Sequence, residues 1–233
     1  MNIFYCTDLS GHSVILGEED SKHAVKVLRL KSGDRIELVD GKGVRANGEI
    51  DDAHPKKCSV IITDRKKESS GRTYSLHIAI APTKNSDRTE WFVEKAVEIG
   101  IDQITLLDCA HSERKRMNTD RLEKVAIAAM KQSEQSRLPH INAMVPVKKF
   151  LDELPKKGQR YIAHCRDGEK IMLKNDLNTV GDIVIMIGPE GDFSKDEILA
   201  AMFTGFKEIS FGDTRLRTET AALMAVMSVK VLS

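Results

Sequence analysis

The chain has 233 residues, 41% apolar and 30% charged, and 36 basic against 35 acidic side chains leave a net charge of +1. That is enough for one large domain or a small and a large one, and it excludes a disordered chain and a globally basic nucleic-acid binder, so any nucleic-acid contact must come from a local patch. No apolar run approaches the roughly 18 residues of a membrane span, MNIFYCTDLSGH shows no signal-peptide pattern, and Cys6, Cys58, Cys109 and Cys165 stand singly, which argues against zinc modules and disulfide scaffolds and for a cytoplasmic, metal-independent protein.

In chain order, residues 19–29 suit a short helix with Ala24, Val27 and Leu28 on one face. Asp34 to Val39 alternates polar and apolar as a half-buried strand does, Asp40-Gly41-Lys42-Gly43 reads as a turn, and Val44 to Ile50 as the returning strand. Cys58 to Thr63 is a further β-rich run, and the charged stretch 65–72 is the expected domain boundary. A small β-barrel or sheet domain over 1–70 and a second domain over 73–233 follow.

From Tyr74 strands and helices alternate. Strand-like runs lie at 74–81, 103–107, 160–164, 182–187 and 207–211, with helical patterns at about 87–99, 119–137, 194–204 and 218–232. In the helix at 119–137, Leu122, Val125, Ala126, Ala129 and Met130 form one apolar stripe, and Asp120 with Glu123 suits an N-terminal cap. Such alternation implies a parallel sheet with helices on both faces and a ligand at the carboxyl ends of its strands. Glu90, Glu94 and Glu98 repeat down one helix, a like-charge stripe that a solvated face explains most simply. The last helix, TETAALMAVMSVKVL, is apolar nearly all round, which implies burial on every side, either at a homodimer interface or in the centre of a monomer.

Two loops after strands carry the chemistry. Gly188-Pro189-Glu190-Gly191-Asp192 leads into Ser194-Lys195-Asp196-Glu197, a capping-box spacing, and Phe211 to Thr220 (FGDTRLRTET) precedes the apolar helix. Glycines there let the backbone approach a ligand. No G-x-G-x-x-G turn or P-loop is present, and Glu190 and Asp192 would repel phosphate, so a ligand carrying positive charge fits better. Arg215 and Arg217 flank Leu216 and need partners if they are buried.

IGPEGDFSKDE (187–197) and LRTETAAL (216–223), with HAVKVLRLKSGDRIELVDGKG (23–43), EKAVEIGIDQI (94–104), SER (112–114) and RLPHI (137–141), resemble the RsmE family of 16S ribosomal RNA (uracil-N3)-methyltransferases, of the SPOUT superfamily, over essentially the whole chain. Asp192 stands where that family usually has a second glycine, and Lys131 to Gln135 matches its usual segment only at Gln132 and Ser133. The resemblance implies a PUA-like N-terminal β-barrel, an α/β SPOUT domain with a C-terminal trefoil knot, S-adenosylmethionine held in that knot, and a homodimer acting on 16S rRNA of the small ribosomal subunit. It further implies that Ile187, Gly188, Pro189 and Gly191 form one cofactor loop and Phe211, Gly212, Leu216, Thr218, Thr220 and Ala221 the other, with His164 in a third or else a structural histidine.

In the implied reaction N3 of a uridine loses its proton and gains a methyl group. Arg217 is the candidate cation for the negative charge that develops on the ring, unless it is structural and pairs with Glu190 or Glu219. Glu190 or Glu219 are the candidate proton acceptors, Glu219 serving otherwise as a first-turn helix charge. RNA contacts are expected from Lys22, Lys26, Arg29, Lys31 and Arg35 in one basic cluster, from Arg114, Lys115 and Arg116 in another, and from Arg137 and Arg215. Only 5% of the residues are aromatic, which argues against extensive base stacking. The competing functions are a SPOUT enzyme acting on a ribose 2′-OH or on tRNA, and a non-catalytic, ribosome-associated RNA-binding protein.

Overall fold

The computed structural model describes residues 2–233. They divide into two units, one formed by the residues up to Gly71 with Ile127–Leu138, the other by Arg72–Ala126 with Pro139–Ser233.

The first unit begins with strands β1 (Ile3–Tyr5) and β2 (Ser13–Ile15) and helix α1 (Glu18–Lys22), and continues with β3 (Arg35–Val39), β4 (Val44–Asp52) and β5 (Ser59–Lys67). The sheet order is β1-β3-β4-β5-β2, parallel only between β1 and β3. The expected β3–β4 hairpin forms because Asp40 Oδ1 accepts the N–H groups of Lys42 (2.7 Å) and Val44 (2.8 Å), while Gly41 and Gly43 take positive φ. Phe4, Leu16, Ile36, Leu38, Ile50 and Val60 fill its core.

Three expectations change here. The helix expected over 19–29 ends at Lys22 and gives way to a π-helical turn, His23–Val27. Its wider i→i+5 winding keeps Ala24 buried but turns Val27 outward, 63% exposed. The strand expected to stop at Thr63 runs to Lys67, because pairing with Val44–Ala46 satisfies its backbone whatever its charged side chains do. β1 and β2, three residues each, are too short to show a period and had no counterpart in the sequence reading.

The second unit runs β6 (Tyr74–Ile80), α2 (Ser86–Ile99), β7 (Gln103–Asp108), α3 (Thr119–Gln132, of which the residues up to Ala126 belong here), β8 (His140–Pro146), α4 (Val147–Glu153), β9 (Gln159–Ala163), β10 (Ile171–Met172), α5 (Leu173–Asp176), β11 (Gly181–Ile187), α6 (Lys195–Phe203), β12 (Lys207–Ser210) and α7 (Thr218–Leu232). Its seven strands form one wholly parallel sheet, ordered β10-β12-β9-β11-β6-β7-β8. β6 and β11 pair in the interior and are almost wholly buried, as their continuous apolar sequences require. Asn85 caps α2, its side chain accepting from Asp87 N–H at 3.0 Å. Lys95 Nζ lies between Glu94 and Glu98 (2.7 and 2.8 Å) and Arg121 pairs with Glu90 (2.7 Å), so the acidic stripe on α2 is neutralised from its neighbours.

The expected strands and long helices are present, with corrections at their ends. α3 is capped by Asn118, whose Oδ1 accepts from Asp120 N–H (3.0 Å) and Arg121 N–H (3.4 Å), and not by an Asp120–Glu123 pair. It stops at Gln132 and not at 137, since Glu134 turns into the left-handed region (φ 56°). Ser136 and Arg137 then join the first unit: Ser136 Oγ donates to Glu68 Oε2 (2.5 Å), and Arg137 donates to the carbonyls of Lys42 (3.2 Å) and Glu68 (2.7 Å). α7 is not buried on every side of the single chain. Ala222, Ala225, Val226 and Val229 are buried, α7 packing on α2, β6 and β11, while Met224, Met227, Val231 and Leu232 stay exposed. β8, α4, β10 and α5 were not expected; they are short or lie at a sheet edge, where periodicity is weak.

Candidate functional site

The carboxyl ends of three adjacent strands, β12, β9 and β11, open into one cavity of about 610 Å³, the expected place for a ligand in a parallel sheet. Ala163, His164 and Cys165 line it after β9, Ile187 to Glu190 and Asp192 after β11, and Ile209 to Thr218 after β12, with Arg88, Lys170 and Ala221 completing the wall.

The loop after β11 is tied on every side. Gly188 and Pro189 are buried, and the carbonyl of Pro189 accepts Asp192 N–H at 2.9 Å. Asp192 adopts φ 65°, and its carboxylate accepts the N–H groups of Phe193 (2.8 Å) and Cys165 (2.9 Å), joining this loop to the one after β9. The capping box is complete: Ser194 Oγ accepts Glu197 N–H (3.2 Å) and Glu197 Oε2 accepts Ser194 N–H (2.8 Å). A Cβ on Gly188 would lie 3.0 Å from the Phe193 ring. Gly191, expected in the cofactor loop, does not line the cavity; its bare Cα admits His111, whose Cβ would sit 2.9 Å from a side chain there.

The loop after β12 is tied only at its ends. Ser210 Oγ donates to the Gly212 carbonyl (2.9 Å) and accepts its N–H (3.1 Å), and buried Thr218 donates to the carbonyl of Gly188 (3.0 Å). Between them Asp213, Thr214, Arg215 and Arg217 are exposed on the cavity wall.

Of the expected catalytic groups, Arg217 lies on the cavity rim as the residue before α7. It makes no ion pair among the described residues, so its structural pairing with Glu190 or Glu219 is not formed. Glu190 is exposed, and its Oε1 accepts Lys84 N–H at 2.9 Å. Glu219 and Thr220 belong instead to a second cavity of about 320 Å³. Only 10% of the Glu219 side chain is exposed; its Oε1 is 3.7 Å from Arg88 and its Oε2 has no hydrogen-bond partner. His164 is buried too, 1% of its side chain exposed, with Nε2 2.8 Å from Glu208 Oε1 and Nδ1 unpartnered.

Glu208, Cys165, Lys170, Arg88 and Trp91 were missed by the sequence reading, because strand pairing and helix packing alone bring them here. Lys22, Lys26, Arg29, Lys31 and Arg35 are all exposed on the first unit. Arg114 is engaged inside the second unit, donating to the carbonyls of Thr83 (3.0 Å) and Lys84 (2.6 Å), and Lys115 pairs with Asp108 (2.8 Å), while Arg116 is exposed. Arg137 is held by carbonyls, as described above. Among the described residues no cluster of three or more His, Cys, Asp and Glu side chains is placed to hold a metal, and no helix is long and apolar enough to cross a membrane.

Residues 70–230 match the RNA methyltransferase domain family and residues 16–63 the RNA methyltransferase PUA domain. A ribosomal RNA small subunit methyltransferase E of Rickettsia conorii is 31% identical over 225 residues, covering 93% of this chain and 89% of the relative. The chain belongs to the ribosomal RNA small subunit methyltransferase E family. The PUA-domain match lies within its first unit, and its parallel sheet lies within the match to the methyltransferase domain. The crystal structure of a Porphyromonas gingivalis "probable rRNA-methyltransferase" superposes with a TM-score of 0.94 at 38% identity, covering 100% of this chain and 98% of that one. A methyltransferase of the same family from Neisseria gonorrhoeae, solved bound to S-adenosyl methionine, has the same fold, with a TM-score of 0.88 at 24% identity and coverage of 100% and 98%.

Proposed function

We propose that this chain transfers the methyl group of S-adenosylmethionine to N3 of a uridine in 16S rRNA of the small ribosomal subunit, as a homodimer. The observation that carries this reading is that Arg217, without an ion pair among the described residues, lines both cavities and shares the smaller one with Glu219, whose buried Oε2 has no hydrogen-bond partner.

The residues of the large cavity suit that cofactor. Gly212 has φ 140°, and a Cβ there would meet nothing within 4 Å, so the backbone leaves room for a ligand. Ile187, Phe211, Leu216 and Ala221 offer apolar surface to an adenosine, His164 Nδ1 offers an orphaned polar atom, and Glu190 and Asp192 set negative charge near a cationic sulfonium. When bound, S-adenosylmethionine supplies an activated methyl on a sulfonium sulfur. The trefoil knot belongs to the same reading, supported by the Thr218–Gly188 hydrogen bond between two loops 30 residues apart.

The protein's own share is positioning, proton removal and charge stabilisation. Glu219 is better placed as the base than Glu190: its Oε2 is buried and without a hydrogen-bond partner, whereas Glu190 is exposed and already accepts Lys84 N–H. The N3–H bond breaks, the proton passes to that carboxylate, and Arg217 stabilises the negative charge left on the ring. Lys22, Lys26, Arg29, Lys31 and Arg35 on the first unit, and Arg116 and Arg215 on the second, contribute phosphate contacts; Arg114 and Arg137, already engaged, contribute less. The exposed Met224, Met227 and Val231 of α7 form the apolar face that a second copy covers.

Unmethylated small subunits incubated with labelled S-adenosylmethionine, then digested and analysed by mass spectrometry, should yield N3-methyluridine. A 2′-O-methyl product, or label only on tRNA, would overturn the assignment. Sedimentation at micromolar concentration should give close to twice 26.0 kDa, and an active monomer would refute the dimer.

A further inference from the structure

A second cavity adjoins the one assigned above to the cofactor. Six residues line its roughly 320 Å³: Asp87, Arg88, Trp91, Arg217, Glu219 and Thr220. Asp87, Arg88 and Trp91 lie within one turn of α2, which places them on one face. Trp91 is the only tryptophan of the chain, yet 42% of it is exposed. A large aromatic surface exposed on the single chain beside two arginines suits a planar ligand with a π face. Glu219 adds a stricter requirement. It is nine-tenths buried, and its Oε2 has no donor, an unmet hydrogen bond that native interiors seldom leave without a reason.

Taken together, the polar wall carries two guanidiniums that donate, those of Arg88 and Arg217, and the buried carboxylate of Glu219 that accepts, with the carboxylate of Asp87 also on the wall. The Watson–Crick edge of uracil offers the complement, O2 acceptor, N3–H donor and O4 acceptor. Cytosine does not, because its N3 is a lone pair that would face the carboxylate and its N4 amine a donor that would face an arginine. Arg88 and Arg217 line both cavities, so a base held in the small one adjoins the large one.

We propose that the small cavity is the acceptor-base pocket, in which an unstacked uracil lies against Trp91 and presents its imide edge to Arg88, Glu219 and Arg217. The proposal rests on the uridine-methylation reading. The hydrogen bond from N3–H to Glu219 both selects the base and is the path by which its proton leaves.

The single tryptophan makes the test direct. With S-adenosylhomocysteine present, uridine 5′-monophosphate should quench Trp91 emission saturably, binding at least about 10-fold more tightly than cytidine 5′-monophosphate or 3-methyluridine 5′-monophosphate, on the scale of a misplaced polar edge. Glu219→Gln should narrow the uridine-to-cytidine preference to about 3-fold or less, since an amide can donate as well as accept. On small subunits Trp91→Ala should lower kcat/KM by about 10- to 100-fold, the scale of one lost base–aromatic stack, with the dissociation constant of S-adenosylmethionine unchanged; Trp91→Phe should recover most of the loss. Absent or equal quenching by the three nucleotides, or a Trp91→Ala enzyme within two-fold of wild type, overturns the pocket. The nucleotide titration needs no turnover, so it separates the two readings. Selective quenching with a methyl found elsewhere than N3 keeps the pocket and removes the function; N3-methyluridine with unselective quenching does the reverse.

Discussion

The two loops that wall the large cavity are built in opposite ways. The loop after β11 is cross-tied by Asp192, closed by a capping box and packed on the buried Phe193 ring. The loop after β12 is held at Ser210 and Thr218, and its charged middle faces the cavity. The first wall is made of satisfied backbone and packed side chains; the second, to which the proposed function gives the ligand and RNA contacts, leaves polar groups unpaired. Damage to the first loop should therefore register as lost stability, and damage to the second as lost binding or rate.

The largest expected effect lies in the second loop. Arg217→Ala should lower kcat on the order of 100-fold or more, the scale for removing one preorganised charge from a shielded site, with cofactor affinity and melting temperature nearly unchanged. Lysine should rescue only in part, since a point charge lacks the planar fork of donors. Parallel loss of cofactor affinity and thermal stability with kcat intact would make Arg217 a structural residue. Arg215→Ala is the control and should cost mainly RNA affinity, most visibly as salt is raised.

Next comes the sheet beneath both loops. His77 on β6 bonds through Nε2 to Thr105 Oγ1 (2.7 Å), and burial pushes its pKa down to about 4 from 6.5. The unfolded chain takes up a proton below about pH 6.5 that the folded chain refuses until about pH 4. This contribution to stability is therefore complete above pH 6.5 and lost as pH falls through that window. The loss reaches roughly 3 kcal/mol by the relation between pKa shift and free energy. Melting curves from pH 7 to 4 should show the decline, and His77→Gln should flatten it. A slope unchanged in that variant would move the acid sensitivity elsewhere.

The smallest effects come from paired glycine substitutions, which give the sharpest contrast. Gly188→Ala sets a Cβ 3.0 Å from the Phe193 ring and should cost about 1–3 kcal/mol of stability by overpacking. Gly212→Ala meets no neighbour but holds φ 140°, a conformation disfavoured for a residue with a Cβ. Because its loop is tied only at the ends it can relax, so cofactor binding should weaken by about 10-fold while the melting temperature barely moves. Calorimetry and thermal melts on both variants decide; equal behaviour would erase the distinction between the loops.

Much of this architecture was legible in the sequence because it is local or periodic. The apolar runs of β6 and β11, the stripe on α3, the Asp40 turn and the Ser194–Glu197 box each involve residues a few positions apart, whose pattern states their partner. Where a boundary moved, a neighbour outside the window was responsible: β4 extends β5 through its charged end, and Asn118 rather than Asp120 caps α3. The loops of the large cavity were recognisable from their motifs, but their division of labour was not. Gly191 shares the motif of Gly188 yet faces His111, and Glu219 shares the motif of Thr218 yet opens into the other cavity.

By itself the sequence determined the order of the longer interior strands and the long helices, the β3–β4 hairpin and the Ser194–Glu197 cap, and the family with its two loops, since hydrophobic period, turn residues and short-range hydrogen bonds act along the chain. Only the tertiary structure decided which polar atoms are left without partners. The pairing of β12 with β9 carries Glu208 to His164, and the packing of α7 on α2 sets Glu219 near Arg88 in the cavity that Trp91 lines. A buried group's need for a donor depends on what surrounds it in three dimensions, and residues 44 or more than 100 positions apart meet only when the sheet and its helices close around them.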